Sequence, residues 1–139
     1  MAGWRNSLEG RWREWKGVEE AVNRTLAGRK VLRIAGSRSP RLQGQKFNSI
    51  QAPELAGIAG NYDAGLACFC ISELPSEQRI EFLAAWHERL SRGATAVVAD
   101  RRGEGCETAF ELRELFAAGA TKLDVQMGPT FWWARYEVL

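Results

Sequence analysis

The chain has 139 residues, enough for one domain around one core, with the 45% hydrophobic and 26% charged content of an ordinary globular protein. A net charge of +2, spread as arginines alternating with glutamates, is not the footprint of a dedicated nucleic-acid binder, and no apolar run approaches the ~20 residues of a membrane span. Three cysteines, Cys68, Cys70 and Cys106, argue against a disulfide framework, and "MAGWRNSLEGRWREW" has no signal-peptide core, so a cytoplasmic location is expected.

The segment 1–28 opens the chain. Apolar residues at Trp4, Leu8, Trp12, Trp15, Val18 or Val22, and Leu26 recur in steps of three and four. That spacing predicts an amphipathic helix, or two helices meeting near Gly17, with Gly28 closing the segment. Such a helix docks on the sheet or on another subunit. Six tryptophans in so short a chain call for large packing surfaces. The mixture of tryptophan with arginine and lysine here also suits nucleic acid, but Glu9, Glu14, Glu19 and Glu20 weaken that reading.

"KVLRIAG" follows as a buried strand. Between Pro40 and Asn61, "KFNSI" suits a short strand and "PELAGIAG" a helical turn with Pro53 at its first position. "YDAGLACFCI", Tyr62 to Ile71, is apolar on both faces, as a central parallel strand must be. Cys68 and Cys70 would then share one face, where buried cysteines act as small hydrophobes. No second pair completes a zinc set, so no metal is expected.

"SEQRIEFLAAWHERLSRG" predicts a helix capped by Ser76 and ended by Gly93. Ile80, Leu83, His87 and Leu90 would share its inner face, with Phe82 and Trp86 flanking. His87, the single histidine, reads as a packed structural residue rather than a general base. "ATAVVAD", Ala94 to Asp100, is a further buried strand, and "RRGEGC" a loop. "ETAFELRELFAAG" predicts a helix with Phe110, Leu112 or Leu115, and Phe116 inward. "TKLDVQM" and "FWWARYEVL", joined by Gly128-Pro129-Thr130, predict an antiparallel hairpin. Trp132 and Trp133 would point to opposite sheet faces.

Alternating strands and helices imply a three-layer α/β domain over residues 1–139, mostly parallel, with an antiparallel C-terminal hairpin. The order and several phrases resemble the class I S-adenosylmethionine-dependent methyltransferases. "KVLRIAGS" is similar to that family's first strand and cofactor loop. "YDAGLACFCISELP" resembles its fourth strand, with the aromatic-aspartate pair Tyr62-Asp63. "FLAAWHERLSRGATAVVADRR" resembles the next helix and fifth strand, and "ELRELFAAGATKLDV" and "FWWARYEVL" its closing elements. The resemblance implies a Rossmann-like sheet. The family spends two crossovers between its cofactor loop and fourth strand; here the interval from Gly36 to Asp63 is shorter than the ~30 residues of one βαβ unit. The sheet is therefore expected to be shortened between its first and fourth strands.

The loop chemistry also departs from the family. Against its pattern of acidic, aliphatic, Gly, any, Gly, any, Gly stand Arg33, Ile34, Ala35, Gly36, Ser37, Arg38 and Ser39. The glycines let backbone amides approach the cofactor, which a Cβ obstructs. The acidic residue helps to hold the cofactor's amine; Arg33 would repel it. S-adenosylmethionine is thus the implied cofactor but is not expected to bind well. The remaining candidates for cofactor contact are Gly36, Ser37 and Cys70. Glu73 and Asp100 end adjacent parallel strands, where two carboxylates can do acid–base work; a cap or loop role is the plainer reading. Gly36 to Ser39 suits an anion loop, but an ordinary polar turn after a strand is the plainer reading. Arg33 needs a partner, with Asp63, Asp100 and Glu54 as candidates. Two functions remain open: a degenerate methyltransferase-like binding or scaffolding subunit, as a homo- or heterodimer, or an active methyltransferase with an altered or partner-completed loop.

Overall fold

The computed structural model describes residues 3–34, 46–50, 62–102 and 108–139. Along them run α1 (Gly3–Leu26), β1 (Lys30–Ile34), β2 (Lys46–Ile50), β3 (Tyr62–Cys68), α2 (Ser76–His87), β4 (Leu90–Arg101), α3 (Ala109–Phe116), β5 (Ala120–Met127) and β6 (Phe131–Val138). The six strands form one sheet in the order β2-β1-β3-β4-β6-β5. The first four are parallel, while β6 runs against β4 and β5 against β6. "KFNSI" is the one described strand between β1 and β3, so a single crossover strand flanks β1 in a shortened sheet. The "PELAGIAG" turn lies outside the described residues.

Each face of the sheet has its own core. Val18, Val22 and Leu26, at four-residue steps on α1, bury themselves against Val31, Ala64, Leu66, Val97 and Ala99. On the other face α2 and α3 bring Phe82, Leu83, Trp86, Leu112 and Phe116 against Leu32, Ala67, Val98, Trp132 and Tyr136. The middle strands can be covered on both sides because they carry small residues. Gly65 is the tightest case: a Cβ there would stand 2.6 Å from Cζ2 of the buried Trp86. Trp132 is fully buried on the α2/α3 face, whereas Trp133 is half-buried on the α1 face, the opposite pointing that strand alternation requires.

α1 is one helix that runs through Gly17 without a break. It ends where Gly28 adopts φ +74° and Arg29 N–H donates to Leu26 O at 3.2 Å, the left-handed cap that favours glycine. It docks on the sheet, but Trp12 points outward, 64% exposed, with the Lys16 ammonium 5.5 Å from its ring centroid. Glu14 ties the helix to the far end of the chain. Its carboxylate accepts from Phe131 N–H at 2.6 Å and Thr130 N–H at 3.1 Å, in and beside the β5–β6 turn.

α2 is shorter than its sequence suggests. Pro75 occupies the N-cap, so Ser76 is the first helical residue and caps nothing with its side chain. The helix stops at His87, and Gly93, at φ +80°, lies inside β4. Its inner face carries Arg79, Phe82, Leu83 and Trp86, leaving Ile80 60% exposed. Arg79 shares that face, its Nε–H donating to Leu74 O at 3.2 Å. On α3, Leu112 and Phe116 are buried and Phe110 is 68% exposed, because Thr108 fixes the start of the helix by accepting from Glu111 N–H. The Thr108 hydroxyl in turn donates to Glu111 Oε1 at 3.2 Å.

Candidate functional site

The chain leaves β1 for β2 on one side, while β3 continues to β4 on the other. The order of the strands therefore reverses between β1 and β3. In open α/β sheets ligands bind in the crevice that this reversal opens beyond the carboxyl ends of the strands. Around it lie Ile34 at the end of β1, residues 68–73 after β3, and Asp100 near the end of β4.

The sequence places Cys68 and Cys70 on one strand face; the structure separates them. β3 ends at Cys68, and Phe69 adopts φ +56°, a left-handed conformation rare for a bulky residue. The turn puts Phe69 on the same face as Cys68, and sends Cys70 and Ile71 to the other core. Packing holds Phe69 in this conformation. Its ring lies 5.2 Å from Trp15 and 6.0 Å from Phe131, and its N–H still bonds Ala99 O at 2.9 Å. Backbone strain of this kind costs about 1–3 kcal/mol and persists only where the surroundings over-determine it.

Cys70 is thereby aimed into the reversal point. Its thiol lies 3.5 Å from Ile34 O, at the end of β1, and 3.3 Å from Cys68 O. Burial pushes its pKa up to about 12, with the charges of Asp100 and Glu73 adding to the rise. Cys68, fully buried, is also raised by burial, so neither thiol is a nucleophile at neutral pH.

Asp100 is fully buried. Its carboxylate accepts from Ser72 N–H at 2.8 Å and Arg101 N–H at 2.7 Å, tying the segment after β3 to the end of β4. Burial raises its pKa, while those hydrogen bonds oppose the rise. These bonds fix the segment after β3 to the end of β4. Glu73 is exposed on the turn after β3, where its N–H donates to Cys70 O at 3.3 Å. The structure brings Cys70, Glu73 and Asp100 to one edge. Gly36 and Ser37 lie outside the described residues, as do Ser39, Glu54 and Cys106.

Arg33 is half-buried in β1, one residue before its end, between Ser49 of β2 and Leu66 of β3. Its charge opposes the rise that burial produces in the Cys68 pKa. Asp63 is not beside it: strand register sets Asp63 next to Lys30, whose N–H it accepts at 2.6 Å. Sequence reasoning missed Phe69 and Ser72, because a left-handed residue inside an apolar run leaves no mark in composition.

His87 lies away from this edge. Its Nε2 is 2.6 Å from the Tyr136 hydroxyl, and burial lowers its pKa to about 4. It is a neutral core partner, as its place on the helix suggested. Among the described residues no helix is long and apolar enough to cross a membrane, and no three His, Cys, Asp or Glu side chains gather as a metal site.

No protein-family model matches the sequence, and no curated protein matches it as a relative. Solved structures do match in fold. A TehB-like S-adenosylmethionine-dependent methyltransferase from Corynebacterium glutamicum superposes with a TM-score of 0.62 at 18% identity, over the whole of both chains. The Burkholderia thailandensis 1,6-didemethyltoxoflavin-N1-methyltransferase, with S-adenosylhomocysteine bound, gives 0.65 at 16% identity over 99% of this chain and 88% of that one. A Bordetella parapertussis protein described as a possible exported protein gives 0.67 at 13% identity over 91% and 67%. At these identities the likeness is one of fold: the chain has the Rossmann-like class I methyltransferase architecture.

Proposed function

We propose that this protein, built on the class I S-adenosylmethionine-dependent methyltransferase fold, no longer holds that cofactor and acts as a binding or scaffolding subunit in a homo- or heterodimer. The observation that carries the reading is Arg33. It sits half-buried in β1 beside the strand-order reversal, where the resembling family has a carboxylate. The cofactor carries an ammonium and a sulfonium. Two like charges ~4 Å apart in a partly wet site oppose each other by up to ~4 kcal/mol, enough to weaken binding several hundredfold. Cys70 packs at the same reversal point, its thiol 3.5 Å from Ile34 O. A cation at position 33 thus supports loss of the cofactor site. Trp12 on α1 is exposed on one side of the sheet, and Ile80 on α2 and Phe110 on α3 on the other.

Calorimetric titration with S-adenosylmethionine and S-adenosylhomocysteine tests the reading. Absence of binding below millimolar concentration is expected, together with a dimer in light scattering. Micromolar binding of either ligand overturns the loss of the site; a strict monomer that captures no partner overturns the subunit role. A second reading, an active methyltransferase with an altered or partner-completed loop, draws support from the bound S-adenosylhomocysteine in the similar Burkholderia enzyme. It requires the micromolar outcome.

A further inference from the structure

At the opposite edge of the sheet a cleft of about 400 Å³ opens between the end of α1 and strands β4, β5 and β6. Arg24 and Arg29 line it from the helix side, Lys122 and Arg135 from the hairpin, with Thr95 and Glu137 between them. Four cations thus face one carboxylate. Two of the cations have other partners: Lys122 pairs with Glu137 at 3.0 Å, and Arg135 lies 3.9 Å from Asp124. Among the described residues the guanidinium groups of Arg24 and Arg29 make no hydrogen bond or ion pair. Arg24 lies in the last turn of α1, where the helix dipole favours a cation in any case. Arg29 lies beyond the Gly28 cap and is half-buried, and a half-buried charge without a partner is costly.

We infer that this cleft is a binding site for a small phosphate-bearing molecule. A guanidinium presents a planar fork of donors that matches phosphate oxygens two at a time, and two such forks suit a diphosphate better than a single carboxylate. The volume lies within the range of small-ligand pockets. Thr95 also lines the cleft. A concave pocket with cations on opposing walls admits a compact anion and not the convex backbone of a duplex. The inference is independent of the proposed function, because the cleft lies at the other end of the strands from Arg33 and Cys70.

Calorimetric titration with inorganic pyrophosphate, at low and at moderate salt, tests it. Saturable one-to-one binding is expected, weakening as salt rises. Arg29→Gln and Arg24→Gln should each weaken it about tenfold, the size of one lost charge-assisted hydrogen bond. Lys122→Gln should act in the same direction. Arg113→Gln, on exposed α3, carries the same charge change and should leave the affinity unaltered. Circular dichroism confirms that each variant is folded. Failure of pyrophosphate to bind overturns the inference. So does an equal loss in Arg113→Gln, which would mark general charge attraction, or tighter binding of a short DNA duplex that depends on Arg24 and Arg29.

Discussion

Replacing Gly65 by alanine probes how the two faces of the sheet are kept close. The new Cβ would lie 2.6 and 3.0 Å from Cζ2 and Cε2 of Trp86 and 2.8 Å from Cδ1 of Leu90. Carbon atoms in ordinary contact stand ~3.5–4.0 Å apart, so the indole must retreat by about 1 Å. It has nowhere to go. Trp86 is wholly buried, stacked at 6.4 Å on Phe82 and tilted at 5.6 Å against His87. Over-packing of this kind costs ~1–3 kcal/mol, and two stiff neighbours place it near the upper end. Alanine recovers about 0.4–1 kcal/mol by restricting the unfolded chain, leaving a net loss of about 2 kcal/mol. Urea denaturation followed by circular dichroism should show that loss, with Tm lower by roughly 6–10 °C. In a Trp86→Phe background the clashing ring atoms are gone, and Gly65→Ala should cost at least about 1 kcal/mol less. An unchanged midpoint, or the same cost in both backgrounds, would refute the packing argument.

Three further outcomes follow from named contacts. His87 has a pKa lowered from 6.5 to about 4 by burial, so the folded state favours its neutral form. The stability it contributes is complete above about pH 6.5 and drains away as pH falls towards 4; after discounting for its partial exposure this is about 2 kcal/mol. Denaturation midpoints in His87→Gln should lose that part of the acid sensitivity, and an identical pH profile would contradict the assignment. Glu14→Ala removes the acceptor of Thr130 and Phe131 amides and should cost about 2–3 kcal/mol in urea, at the scale of hydrogen bonds to a charged group; a loss below about 0.5 kcal/mol would mean that the clamp is ornamental. Cys68 and Cys70 should resist iodoacetamide at pH 8 in the folded protein and react on unfolding, read by mass spectrometry. Rapid alkylation of Cys70 in the native state would show that the crevice is open.

Much of the fold was legible because burial writes itself into composition. The run after Tyr62 is apolar on both faces, as a doubly covered parallel strand demands, and 31–34 and 94–99 are largely apolar too. The hairpin and the Gly28 cap followed from turn chemistry. The orientation of α2 was not legible. Ile80 and Phe82 are both apolar, yet Phe82 turned inward beside the buried Arg79 while Ile80 is exposed. Phe110 likewise has a clear apolar side chain and an exposed position, set by the Thr108 cap rather than by its own character. At the candidate site, Asp100 and Glu73 were placed on the right edge by strand order. Their roles depended on which amides came within reach: for Asp100, Ser72 in the turn that follows Phe69 and Arg101 at the end of β4.

The sequence alone determined the layer order, the parallel strands, the closing hairpin, the shortened crossover and the cation at position 33. Each is a matter of periodicity, spacing or residue type, which are local. The tertiary structure decided what local chemistry cannot encode. It set Cys68 and Cys70 on opposite faces through one left-handed residue, and fixed α1 to the far end of the chain through Glu14. It also gathered Arg24, Arg29, Lys122 and Arg135 from distant segments into one cleft. Those positions are more than a hundred residues apart at their extremes, and only the closing of the sheet brings their charges within reach of a single ligand.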